Sequence, residues 1–120
     1  MKLSDCRNVD DFKKLAKQKL PSPIFHYIEG GADDEVTLRR NTEAFEHCDL
    51  IPSVLTDVSS VDLSTTVLGQ KIQFPLFLSP TAMHQMYHHD GEVATAKAAE
   101  KLGTFFSLST MATTSIEDVS

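Results

Sequence analysis

His84, His88, His89 and Asp90 lie close together in the chain, and such a cluster invites a metal ion. The His84/His88 spacing would set two imidazoles on one helical face. Asp90-Gly91, however, reads as a loop and cap ahead of the next helix, and there is neither an H-E-x-x-H pattern nor a cysteine pair. These are read as surface histidines, and no metal ligand is assigned. A second constellation is Ser79-Pro80-Thr81-Ala82-Met83, with Ser109-Thr110 further on. Small hydroxyl-bearing loops after short apolar runs suit the carboxyl ends of parallel strands, where free backbone N–H groups meet ligands. Two of them side by side could hold a flat heterocyclic cofactor; ordinary turn chemistry is the alternative. Tyr27 is either a core aromatic or a phenol that donates to a carboxylate. Arg39-Arg40 reads as a solvated helix face rather than an anion clamp. Neither Cys6 nor Cys48 has a histidine at a nucleophile's spacing, and both the G-x-G-x-x-G and the P-loop fingerprints are absent.

The elements that must position these residues change character along the chain. Val9, Phe12, Leu15, Ala16 and Leu20 share one helical face, with Asn8 as cap and Pro21 as stop. Ser22-Pro23 restarts a helix whose inner face is Ile24, Tyr27 and Ile28, and Gly30-Gly31 ends it at a positive φ. Asp33 or Asp34 caps a third helix anchored by Leu38 and Phe45. Val61, Leu63, Thr65 and Val67 then alternate as a half-buried strand, Leu68-Gly69-Gln70 turns, and Ile72 with Phe74 returns. Leu76-Phe77-Leu78 between prolines, and Phe105-Phe106-Ser107-Leu108-Ser109, fit strands buried on both faces. An Ala-rich helix from Gly91 to Leu102 joins them, closed by Gly103, and Ser115 with Asp118 is a capping box for another. A crossover helix of that length implies parallel strands.

The chain has 120 residues, 41% of them hydrophobic and 23% charged. That is enough for one modest core and too little for a complete (β/α)8 barrel of about 250 residues. The net charge of -6 argues against a nucleic-acid surface. No apolar run spans a membrane, and the start lacks a signal peptide's apolar core. Two cysteines make no disulfide framework, so reduced thiols and a cytoplasmic location are expected.

The residues carry a resemblance beyond these patterns. Phe25-His26-Tyr27-Ile28-Glu29-Gly30-Gly31-Ala32-Asp33-Asp34-Glu35-Val36-Thr37-Leu38-Arg39-Arg40-Asn41 resembles the amino-terminal signature of the FMN-dependent α-hydroxy acid dehydrogenases. The match continues through Leu68-Gly69, Pro75 to Met83, Asp90-Gly91-Glu92 and Leu108 to Ser115. It covers nearly the whole chain in one order. His89-Asp90 stands where Pro-Glu is common in the family, and Met111 where an aromatic is frequent, which bears on substrate size.

The resemblance implies an α/β fold: amino-terminal helices and the first βαβ portion of a truncated TIM barrel, with FMN at the strand ends. Residues 1–47 would be a helical prelude, 48–74 a hairpin region and 75–120 the first two barrel strands. Tyr27 would bind the substrate carboxylate, while Pro80, Thr81, Ala82 and Ser109 would contact FMN. The implied reaction is oxidation of an L-2-hydroxy acid, lactate- or glycolate-like, to the 2-keto acid. The family's histidine base would lie beyond Ser120, so no catalytic residue is assigned here, and none of His84, His88 and His89 takes that role. A small hydroxy acid is the expected partner, nucleic acid is not, and the full-length protein would be a homo-oligomer. The acceptor (oxygen, quinone or cytochrome) and any peripheral membrane attachment are not readable. The alternative is a naturally short, non-catalytic relic or interaction module.

Overall fold

The structure is a computed structural model that describes residues 2–120. The chain divides into two compact units, one ending at Leu55 and the other Thr56–Ser120.

The first unit is helical. Helix α1 (Val9–Lys19) starts where the Asn8 side chain accepts from the Asp11 backbone N–H at 2.9 Å. Pro21 ends the chain's first helical run and serves as N-cap of α2 (Ser22–Glu29). The buried residue of α2 is Phe25, 3% exposed, rather than the Ile24-Tyr27-Ile28 face expected from spacing. Phe25 is held by α1: the Lys17 ammonium lies 5.8 Å from its ring centroid, and Lys13 bridges to Glu29 at 2.9 Å. That arrangement turns Tyr27 outward. Gly30 is extended at φ -75, so α2 needs no left-handed residue to end. Helix α3 (Val36–Glu46) is capped neither by Asp33 nor by Asp34. Instead Glu35 N–H donates to the Ala32 carbonyl at 2.9 Å, and the Glu35 carboxylate accepts from Gly31 N–H at 3.1 Å. A backbone turn thus does the capping. Leu38 and Phe45 are exposed within this unit, so they anchor nothing there.

The second unit is α/β. Strands β1 (Thr65–Val67) and β2 (Gln70–Ile72) form an antiparallel hairpin in which Val67 faces Gln70. Leu68 at φ 51 and Gly69 at φ 81 make the tight turn, matching the right-handed strand twist. The strand is shorter than the alternation from Val61 to Val67 implied, because residues before Thr65 have no ladder partner, and Val61 and Leu63 are exposed. Ile72, 2% exposed, is the hairpin's contribution to the core. The two apolar runs meet as a parallel bridge, Leu78 with Phe106. Leu78 N–H donates to the Phe105 carbonyl at 2.9 Å, and Ser107 N–H to the Leu78 carbonyl at 3.0 Å. Prolines at 75 and 80 donate nothing, which keeps this pairing short. Leu76 and Phe77 are also half exposed, not buried on both faces. Helix α4 (Gly91–Leu102) is the crossover, buries Ala99 and stops at Gly103, whose φ of +64 suits glycine. A short helix, α5 (Ile116–Val119), begins where Ser115 Oγ accepts from Asp118 N–H at 3.2 Å.

Candidate functional site

The parallel bridge brings two loops together at its carboxyl end. Residues 79–83 leave the first run and 109–115 leave the second. Met83, in a left-handed conformation at φ 54, donates its N–H to the Met111 carbonyl at 3.1 Å. Two residues further along each segment, Gln85 N–H donates to Thr113 Oγ1 at 3.2 Å. A 3-10 turn, His84–Met86, follows the first loop and feeds α4.

Beneath these loops lies Glu92, in the first turn of α4 and fully buried. One carboxylate oxygen, Oε1, accepts from His84 N–H at 3.1 Å and from Thr113 N–H at 2.8 Å. The other, Oε2, accepts from the Thr113 hydroxyl at 2.7 Å and the Thr114 hydroxyl at 2.8 Å. Burial pushes this carboxyl's pKa up, but the hydrogen bonds from Thr113 and Thr114 outweigh it and hold the group at about 2. The helix amino terminus favours the same ionised form. Gly91, just before it, is in the left-handed region at φ +53, and a Cβ there would sit 2.7 Å from Gln85 Cγ.

The structure places Pro80 and Thr81 exposed on the first loop, with Ala82 half-buried beside them. Ser109, half-buried on the second loop, accepts from Met111 N–H at 3.1 Å through its Oγ. These four are therefore on loops joined by a backbone hydrogen bond, from Met83 N–H to the Met111 carbonyl. Tyr27 belongs to the other unit, where it is 59% exposed on α2. His84 departs from the surface reading. Its Nδ1 lies 3.2 Å from Thr95 Oγ1, its ring centroid is 5.9 Å from that of Phe106, and its Nε2 is buried with no partner among the described residues. It is thereby separated from His88, His89 and Asp90, whose ligand atoms lie within 4.8 Å of one another and are all exposed. Asp90 pairs with both histidines there, at 3.5 and 3.3 Å.

Glu92, Thr113 and Thr114 lie in segments that carry the family resemblance, but the sequence assigned them no role. A carboxylate at a helix start reads as a surface dipole contact. Only the hydroxyl pair one strand later hinted at an acceptor below.

The arrangement offers two adjoining loops with a threonine hydroxyl, a small alanine and a serine, fixed from below by an anion. Hydroxyl donors and exposed backbone suit the carbonyls and ring nitrogens of a flavin, and Ala82 carries no bulk to displace a flat ring. The residues present thus fit the group.

This α/β segment with strand-end loops belongs to a family of flavin oxidoreductases. Specifically, a profile described as FMN-dependent dehydrogenase matches residues 16–120, and the chain belongs to that family. It is 48% identical over 117 residues to glycolate oxidase 5 of Oryza sativa subsp. japonica, covering 98% of this chain and 32% of the relative. A soluble mutant of the membrane-associated (S)-mandelate dehydrogenase of Pseudomonas putida superposes with a TM-score of 0.87 at 40% identity, covering 93% of this chain and 32% of that one. A Pediococcus acidilactici protein described as a lactate oxidase gives a TM-score of 0.87 at 31% identity, covering 95% and 32%. The chain thus spans about a third of the length of the relatives it matches. Among the described residues no helix is long and apolar enough to cross a membrane.

Proposed function

We propose that this chain is the amino-terminal part of an FMN-dependent enzyme that oxidises a small L-2-hydroxy acid to the 2-keto acid. The observation that carries the reading is the joined pair of loops, 79–83 and 109–115, at the carboxyl end of a parallel pairing in a chain of this family. Bound FMN would supply the redox chemistry, taking up the two electrons that leave the substrate. Pro80, Thr81 and Ala82 would line the flavin, Thr81 with its hydroxyl and Ala82 by leaving room. Ser109 would reach it from the second loop, its oxygen already oriented by Met111 N–H. Tyr27 would donate its phenolic hydrogen to the substrate carboxylate. The proton acceptor belongs to a segment after Ser120, as does the rest of a TIM barrel of which residues 75–120 form the first two strands. Residues 1–47 and 48–74 act as its helical prelude and hairpin region. The full-length protein is read as a cytoplasmic homo-oligomer.

The test is to isolate the native product from source cells by a peptide of this segment, then measure its mass, its flavin content and its turnover of glycolate and L-lactate. A product about three times as long, holding FMN and reduced by either acid, supports the reading. A flavin-free product of 120 residues overturns it in favour of a non-catalytic relic or interaction module.

A further inference from the structure

Both loops of the proposed flavin site end on one oxygen atom. Glu92 Oε1 accepts from His84 N–H, two residues after Ala82, and from Thr113 N–H, four residues after Ser109. Oε2 adds the hydroxyls of Thr113 and Thr114, so every contact of this carboxylate outside its own helix falls on a loop end. We propose that Glu92 is a positioning residue for the cofactor: its carboxylate sets the spacing and tilt of the 79–83 and 109–115 loops and so fixes Thr81, Ala82 and Ser109 against FMN. The proposal rests on the reading of those loops as the flavin site.

The physical case has three parts. First, the network is closed, since Glu92 is fully buried and both its oxygens are satisfied. A buried anion with all its donors in place has a narrow range of geometries. Second, the Met83–Met111 and Gln85–Thr113 bonds run between the same two loops, so a shift of either loop relative to Glu92 is passed directly to the other. Third, the group is ionised throughout the neutral range, its carboxyl held at about 2, so the link does not depend on ordinary pH changes. Preorganised loops of this kind raise ligand affinity by removing an ordering cost at binding.

The test uses the native flavoprotein with Glu92→Gln and Thr113→Val, singly and together. Each protein is stripped of flavin and titrated with FMN, and the visible flavin spectrum of the reloaded protein is recorded. Glutamine keeps an oxygen for the two N–H donors but turns an NH2 toward two hydroxyls that now donate to nothing. Valine keeps the shape of threonine and removes its hydroxyl. Each single variant should weaken FMN binding about tenfold, with a shifted flavin band. The double variant should lose clearly less than the sum of the two, because both changes cut the Thr113 hydroxyl's bond to Glu92. Single variants that bind FMN within about twofold of wild type, or losses that simply add in the double variant, overturn the proposal. A wild-type protein that takes up no FMN overturns the function above as well. A flavin-binding wild type with unaltered variants overturns the positioning role alone.

Discussion

Glu29 and Glu92 each tie one element to another, yet they stand in opposite environments. Glu29 meets Lys13 across α1 and α2 at 2.9 Å, Lys13 open to water and Glu29 half-buried. The Lys13 hydrogen bond draws its carboxyl below the ordinary value, against a desolvation that pushes the other way. Glu92 has no ion pair among the described residues, is shut away from water, and is stabilised by four N–H and O–H donors from two loops. The contrast shows that contact distance does not rank interactions. An exposed ion pair competes with water and salt, whereas a buried carboxylate that loses its place leaves several donors stranded. The helical unit is therefore trimmed by its polar links, and the loop region is built on one.

The largest break in that comparison is Glu92→Leu, which strands two N–H groups and two hydroxyls. It should lower the unfolding free energy of the native protein by about 3 kcal/mol, read from the denaturant midpoint. Acid sharpens the same point. The unfolded carboxyl titrates near 4.5 and the folded one at about 2, so the unfolded state binds more protons between those values. Glu92's stabilisation is complete above the ordinary value, declines as pH falls from there, and is spent below about 2. Glu92→Gln should therefore flatten the acid limb of the stability curve, and an unchanged limb would contradict the assignment. Next comes Gly91→Ala, which must hold a Cβ at positive φ against Gln85 Cγ. It should cost about 1–2 kcal/mol by thermal unfolding. Asn8→Ala removes the α1 cap and should cost about 1 kcal/mol. Smallest is Lys13→Ala, for which no shift in the unfolding midpoint is expected.

What the sequence made legible was what closes within a few residues. The Asn8 and Ser115 caps, the Leu68-Gly69 turn and the Gly103 stop each involve partners at most four positions away. The third helix cap differs from the Asp33 or Asp34 expected by type, because a backbone turn puts Glu35, a residue not favoured at that position, at the helix start. Tyr27 was placed on a helix correctly but on its inner face wrongly, since Phe25 rather than spacing determines which side meets α1. The loops of the candidate site were visible as small hydroxyl-rich segments. Their foundation was not, because Glu92 acquires its partners only when the crossover helix brings two strand ends together. His84 is the same lesson in miniature, a histidine that looked like its surface neighbours and is drawn inward by Thr95 and Phe106.

The separation of Glu92 from Thr113 has a bearing on how the polypeptide is made. They are 21 residues apart, and the carboxylate is without three of its four loop donors until the later residues have been synthesised and have left the ribosome. At about 5–20 residues per second the wait is roughly one to four seconds. During it α1 already has its cap, three residues away, while Phe77 and the open strand edge beside it have no cover. Nascent-chain quality control thus has its natural opportunity here, and a variant that delays closure lengthens the interval in which a chaperone or protease must act.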